Sequence, residues 1–481
     1  MMSPYAAIYL AANIVPSILG ALALILYTHL LSPAEYGIYV IAASIAGIVS
    51  AMFFNWVRLS VSRYQATSPE LDLRPEAAVA YGGTAVALAC LAPLVIFVVR
   101  PDISFGILAG SLFLSLSVTA FELGQEFRRA RLNPRQFIIV AVTRSTLWLA
   151  LGYIAVKLGG GGLGLVAAFG ASCLIANAVG LRNAPATAAR PLRACSADNL
   201  RQFVRYGAPL SLGALIIALH NALDRLGIAY LLGHSSAGYY GLAADITRQV
   251  IVLLGASVAS AMFPVAFRSL AAAGAAATRA RLAEGAELLL ALIAPVTVWL
   301  AISANLVAGT LLGSQFQTTV AMLLPVLTIA RLCGTVNQFY LHASFQLAEK
   351  PLLQLTHDGL VLALNVALLF PLTLSFGLIG TAAAMLIAEA FGVIVGIWLS
   401  RKAFALPFNG PGMARVLAAT GVMAAVTYAV KAASGGHGLV SLLSVIAGGG
   451  LAYAGAALLL DVAGIRSSLA AFAWPRRLAA G

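Results

Sequence analysis

Charge is what this chain has least of. Only 9% of its 481 residues are Asp, Glu, Lys or Arg, where a soluble domain carries about a quarter. Hydrophobic residues make up 61% and the mean hydropathy is +0.95, so a soluble globular fold is excluded. Cysteine is scarce as well. Cys90, Cys173, Cys195 and Cys333 have no paired spacing, which indicates neither a disulfide framework nor a metal site. GxSxG, Walker, HExxH and paired CxxC motifs are absent. The glycines at 159–162 and 448–450 have no following lysine and are not phosphate loops. No catalytic residue, cofactor or metal ligand is expected.

What is present is a succession of apolar runs, each long enough to cross a bilayer core of about 30 Å. They predict an all-α integral membrane protein with about fourteen transmembrane helices between residues 5 and 463. Residues 5–31 lack a basic n-region and lead into further spans, so they read as a retained first helix rather than a signal peptide.

The 29 Lys and Arg residues fall mainly in alternate gaps between these runs. Twenty-two lie in one set of gaps and tails, and the other set holds only Arg100, Lys157 and Lys431. By the positive-inside rule the richer side is cytoplasmic, and both termini lie there. The net charge of +13 is spread over short loops on one membrane face. Topology and anionic lipids account for it, and no nucleic-acid partner is implied. Outward connections such as Ser32–Glu35, Gly233–Ala237 and Gly313–Phe316 are too short to carry the catalytic loop of a membrane-embedded glycan polymerase.

The longest inward gap, 183–205, contains Pro185, Pro191 and several arginines, and reads as a cytoplasmic linker. Within it Leu200, Phe203 and Val204 oppose Arg201 and Arg205, a spacing that predicts a short helix in the membrane interface. The gap separates an N-lobe over 1–182 from a C-lobe over 206–402, with two further helices and a tail over 403–481. An internal repeat supports this division. Leu30–Ile45 and Leu231–Ile246 match without gaps at seven of sixteen positions, including Gly37/Gly238 and Tyr39/Tyr240. An offset of six helices preserves orientation, so the lobes are expected to form a parallel pseudo-two-fold pair with the substrate site between them.

Four arginines lie inside the apolar runs: Arg144, Arg225, Arg248 and Arg331. Each charge at the bilayer centre costs about 2.5–3.5 kcal/mol on insertion scales unless it meets water or a partner. Four acids, Asp224, Asp245, Asp358 and Glu389, also lie within spans, so bulk charge does not define a cationic cavity. Asp245 and Arg248 are three apart and form a local pair. Asp224 shares a helix face with His220, as Arg225 does with Asn221. Arg144 and Arg331 have no acid within four residues. They are the first candidates to hold an anionic ligand, against the alternative that they pair with Glu389, Asp358 or helix-end carbonyls. Asp224, Asp245 and Glu389, with His220 tuning Asp224, are candidates to bind a coupling proton or Na⁺.

Helix 1 carries Asn13, Ser17 and Gly20 on one face with Pro16 beside them, suited to close packing or to a bending cavity wall. At the inner end of helix 4, Glu122, Gln125, Glu126 and Arg129 form a charged face that is either a solvated extension or the border of a cavity.

Leu31-Ser32-Pro33-Ala34-Glu35-Tyr36-Gly37 resembles the first outward turn of the polysaccharide transporter family, the O-antigen and exopolysaccharide flippases. That family is part of the multidrug/oligosaccharidyl-lipid/polysaccharide flippase superfamily. Tyr206-Gly207-Ala208-Pro209-Leu210, Asp224-Arg225 and Gly238-Tyr239-Tyr240 with Asp245 are similar to its helix 7–8 signature. Gly377-Leu378-Ile379-Gly380-Thr381-Ala382-Ala383 is similar to its helix 11–12 turn. The resemblance implies a monomeric flippase of the bacterial inner membrane, moving undecaprenyl-pyrophosphate-linked oligosaccharide by alternating access. Membrane lipids would surround it, and a proton or Na⁺ gradient could drive it. Arg144, Arg331, Arg225 and Arg248 would grip the diphosphate, a role that suits guanidinium. An ion-coupled small-molecule exporter of the same superfamily is the other reading. Two relatives fit less well: residues 5–31 hold neither the arginines of lipid II flippases nor the acid of many cation-coupled exporters.

Overall fold

The computed structural model describes residues 4–67, 72–98, 104–131, 133–182 and 195–466. These are almost wholly helical, and the protein is a multi-pass membrane protein. Its helices are α1 (Pro4–Leu30), α2 (33–67), α3 (Arg74–Val98), α4 (Phe105–Ala130), α5 (Pro134–Lys157), α6 (Gly161–Arg182) and α7 (197–232). They continue with α8 (234–273), α9 (275–302, extended by Ala304–Leu311), α10 (314–347), α11 (351–376), α12 (378–400), α13 (Gly410–Ala433) and α14 (Gly438–Leu459). The chain forms two compact units, Met1–Gly241 and Leu242–Gly481.

Local sequence explains where the helices start and reverse. At α2, the Ser32 hydroxyl accepts from the Glu35 N–H at 3.3 Å, and Pro33 occupies the first turn. Glu35 then serves a second helix, accepting from the Gly162 N–H at the start of α6. An acidic group at a helix N-terminus meets both the orphan N–H groups and the positive end of the dipole. Asn133 and Asn409 cap α5 and α13 in the same way, with Pro134 and Pro411 in the first turn of each helix. The α7–α8, α8–α9 and α11–α12 reversals each hinge on one glycine in the left-handed region, Gly233 (φ 82°), Gly274 (φ 78°) and Gly377 (φ 61°). A side chain there would be strained.

Three π-helical turns interrupt these helices, at Ser50–Phe54 in α2, Arg248–Val252 in α8 and Asn337–Leu341 in α10. Buried hydroxyls satisfy themselves on their own helix, as in Ser44 to Val40 O (2.7 Å), Ser111 to Ile107 O (2.6 Å) and Thr297 to Ile293 O (2.8 Å). With no water in the bilayer core, the preceding turn's carbonyl is the nearest acceptor.

The structure departs from the sequence-based expectation at three of the basic connections. Most of the 183–205 linker lies outside the described residues, as does the side chain of Asn13. Residues 200–205 are not a separate interfacial helix but the first turns of α7. Buried Glu76 accepts from the Ser196 N–H (3.2 Å) and from Asn199 Nδ2 (3.0 Å), which fixes that helix start. Phe203 is buried and stacks on Tyr64 at 5.9 Å, while Ser60 donates to its carbonyl. Second, α2 runs on to Thr67 instead of ending near residue 57, so Arg58 and Arg63 are helical. Third, the expected connection over 268–284 is helical on both sides of Gly274. In each case hydropathy falls where charge begins, but the backbone hydrogen-bond ladder continues with the charged side chains on the helix surface.

The last two helices are tied to α9 by one buried carboxylate. Glu287 accepts from Asn409 Nδ2 (2.9 Å) and from the Ala463 N–H (2.9 Å), with Arg415 at 3.6 Å. Lys431 donates to the Ile302 carbonyl at the far end of the same helix (2.6 Å).

Candidate functional site

Two adjoining cavities of about 420 and 440 Å³ open inside the first unit, and both are lined by Arg58 and Glu122. The first is mainly apolar, walled by Ala43, Ala46, Phe54 and Phe169, with Ser50, Asn55 and Thr119 as its polar points. The second is lined about equally by polar and apolar groups. It is walled by Pro16 of α1, by Glu122, Gln125, Glu126 and Arg129 of α4, and by Phe137, Ala141 and Arg144 of α5. The charged face at the C-terminal end of α4 therefore borders a cavity.

Charge pairing within these walls is uneven. Arg58 bridges Glu122 (2.8 Å) and Asn55 Oδ1 (2.8 Å). Arg129 reaches Glu126 at 3.4 Å and lies over the Phe137 ring at 5.5 Å. Arg144 lies 5.3 Å from the Phe121 centroid and 5.5 Å from that of Phe169, with a long 3.4 Å contact to Ser145. Among the described residues it makes no ion pair, and its buried Nε has no hydrogen-bond partner. Three guanidiniums face two carboxylates, and Arg144 is the one left over. Aromatic faces hold a cation in place without consuming its donors, since the attraction is to the ring quadrupole.

Arg128, next to this face, has a different fate. It is buried, and it hydrogen-bonds Gln125 and Asn177 at 3.2 Å each. Gly124 and Gly180 make room for its guanidinium. It fastens α4 to α6 rather than facing the cavity.

The other singled-out residues divide between the two units. In the first, Asp224 is buried and accepts from Tyr240 Oη at 2.7 Å, which pins the α7–α8 hairpin. His220 and Arg225 are partly buried on α7. In the second unit, Asp245 and Arg248 form the expected pair at 3.4 Å, with the arginine largely exposed. Glu389 of α12 is buried and accepts from Asn337 Nδ2 at 2.8 Å. Gly334 leaves the space its carboxylate fills. Arg331 lies one turn before Gly334 on the same face of α10. Asp358 is held by two histidines, His342 at 3.0 Å and His357 at 2.9 Å. Little in the chain order marks these histidines, because fifteen residues and a helix turn separate them. Arg58 escaped notice because it sits just beyond the end of a hydrophobic run.

The described residues thus form a bundle of long apolar helices with cavities in whose walls cations lie among aromatic rings. The chain matches the family described as "polysaccharide biosynthesis protein" over residues 26–321. It belongs to that family.

Solved structures carry the same fold. "Lipid II flippase MurJ, inward closed conformation" is similar at 16% identity and a TM-score of 0.70, covering 95% of this chain and 99% of that one. An inward-facing multidrug resistance MATE family transporter of the MOP superfamily is similar at 16% identity and a TM-score of 0.58, covering 84% and 95%. A MOP superfamily transporter from Pyrococcus furiosus gives 16% and 0.50, covering 82% and 92%. No curated relative matches by sequence.

Proposed function

We propose that this protein flips a lipid-linked oligosaccharide, carried on undecaprenyl pyrophosphate, from the cytoplasmic to the outer leaflet of the bacterial inner membrane. The product would feed surface polysaccharide (O-antigen or exopolysaccharide) synthesis. The observation that carries this reading is Arg144: a guanidinium without a carboxylate, lining a half-polar cavity between two phenylalanine rings. A resident charge this costly is accounted for by an anionic ligand that arrives and leaves. Phosphate oxygens match the planar donors of arginine, and aromatic faces suit the apolar faces of sugar rings.

In this reading helices α1–α6 and α7–α12 act as two lobes that alternate access, with α13 and α14 appended. Arg331, Arg225 and Arg248 are further contacts for the diphosphate. Asp224, Asp245 and Glu389, with His220, are the groups that would take a coupling proton or Na⁺. The protein works as a monomer in contact with membrane lipids, with both termini in the cytoplasm.

The experiment is deletion of the gene followed by complementation. Lipid-linked repeat units should accumulate on the inner leaflet, and the wild-type gene should restore surface glycan where Arg144→Ala does not. Normal surface glycan in the deletion strain sinks the proposal. Loss of resistance to small toxic compounds, with glycan intact, points instead to an ion-coupled exporter.

A further inference from the structure

We infer that His342, His357 and Asp358 form a binding site for a divalent transition-metal ion of the zinc class, at one end of α10 and α11. The three donor atoms, His342 Nε2, His357 Nδ1 and Asp358 Oδ1, come from residues on two helices joined by the turn at 348–350. Their separations are 3.3 Å between the two nitrogens, and 3.0 and 2.9 Å from the nitrogens to the carboxylate oxygen. Three ligands at 2.0–2.1 Å around a tetrahedral ion stand about 3.3 Å apart. The observed triangle is close to that face.

The hydrogen-bond pattern calls for positive charge among these three groups, which a metal ion would supply. His357 Nε2 lies 2.9 Å from the Gly392 carbonyl oxygen of α12. A carbonyl only accepts, so this nitrogen carries the hydrogen and fixes the tautomer. In the neutral ring Nδ1 is then a lone pair, and it faces a carboxylate oxygen at 2.9 Å. Two lone pairs do not meet in a buried site without a positive charge between them. A proton on Nδ1 would answer for that one edge. With His342 donating as well, the same oxygen would accept from two N–H groups 3.3 Å apart, so protons alone are the alternative that the test below separates from a metal ion. A single metal ion accounts for all three edges at once.

The surroundings fit the same chemistry. A metal-bound histidine commonly donates its other ring N–H to a backbone carbonyl, as His357 does to Gly392. The side chains of His342 and His357 are only 7% and 2% exposed, whereas that of Asp358 is 16% exposed and leaves an approach for the ion. The π-helical turn Asn337–Leu341 ends immediately before His342 and sets the angle of that residue on α10. Two imidazoles and one carboxylate with a further position open are a borderline donor set, suited to Zn²⁺ or Co²⁺ rather than Mg²⁺ or Ca²⁺. Bound there, the ion would clamp α10 to α11, and through His357 to α12.

The test uses the full chain in detergent, stripped with a chelator and dialysed. Zn²⁺ competition against a chromophoric chelator should find one tight site per chain. Co²⁺ should give the visible absorption of a tetrahedral ion, and Zn²⁺ should raise the unfolding temperature. His357→Gln keeps an amide N–H for the Gly392 carbonyl but removes the Nδ1 donor, and should weaken binding by at least about 100-fold. His342→Asn should act alike if His357→Gln fails to fold, while His234→Gln should bind as wild type. Absence of the Co²⁺ band and of a tight Zn²⁺ site in the wild type would overturn the inference, leaving a cluster that holds only a proton. Equal binding by wild type and both cluster variants would overturn it too.

Discussion

Gly37 and Gly238 meet backbone to backbone. A methyl group on Gly37 would overlap the carbonyl oxygen of His234, and one on Gly238 would overlap that of Pro33. In the ungapped match of the two outward turns, Gly37 aligns with Gly238 and Pro33 with His234, so the contact is symmetric. Val40 and its repeat counterpart Gly241 also touch, the valine side chain filling the space the glycine leaves. The first turns of α2 and α8 can approach this closely only because neither carries a side chain at the crossing.

Substituting either glycine should therefore separate the two turns. Gly37→Ala and Gly238→Ala are expected to cost about 1–3 kcal/mol each, the usual range for overpacking. Gly47→Ala, on the same helix but with open space at its Cβ position, should be neutral or slightly stabilising. Thermal unfolding of the three variants in detergent makes the comparison; equal melting for Gly37→Ala and Gly47→Ala would contradict the backbone contact.

At the cavity, Arg144→Ala should abolish surface-glycan complementation with membrane levels of protein unchanged. Arg144→Lys should recover part of the activity, because an ammonium keeps the charge and the ring contacts but loses the planar fork. Arg331→Ala is expected to behave as Arg144→Ala. Full activity in both alanine variants would return these arginines to a structural role.

Asp72, between α2 and α3, supplies a pH-dependent contact outside the spans. Burial pushes its carboxyl up, but hydrogen bonds from Arg74 and the charges of Arg74 and Arg131 outweigh this and hold it below the usual carboxylate value. Its folded value is depressed, so its stabilisation is complete at neutral pH and lost as pH falls through that lowered value. Asp72→Asn should cost about 2 kcal/mol near pH 7. Melting temperatures measured from pH 7 downward should converge with wild type at acid pH, and a constant gap would refute the assignment.

Glu287 can be tested by proteolysis. Replacing it with alanine leaves Asn409 Nδ2 and the Ala463 N–H without this acceptor and removes the charge facing Arg415, which keeps only its bond to the Asp461 carbonyl. The segment preceding α13, residues 401–409, should be cleaved faster in Glu287→Ala than in wild type. Glu287→Gln, which keeps one acceptor oxygen, should fall between them. Identical cleavage rates would show that apolar packing alone holds α13 and α14 to α9.

Much of the architecture was already determined by the order of the residues. The apolar runs specify long helices because only a hydrogen-bonded helix, or a closed barrel, satisfies its backbone in lipid. Ser32-Pro33-Ala34-Glu35 and Asn133-Pro134 mark helix starts, and Gly233 and Gly377 mark reversals, through purely local chemistry. The pairing of Asp245 with Arg248 was legible because three residues on a helix make one face. Tertiary structure alone decided the rest. It chose which arginine is left unpaired, because Glu122 and Arg58 come from helices 64 residues apart in sequence. It took Asp358 away from the intramembrane arginines and gave it to two histidines. It also turned the two repeated glycines into a contact. Helices are programmed by near neighbours, whereas the partner of a buried charge is whichever side chain packing brings within about 3 Å, and no spacing along the chain encodes that.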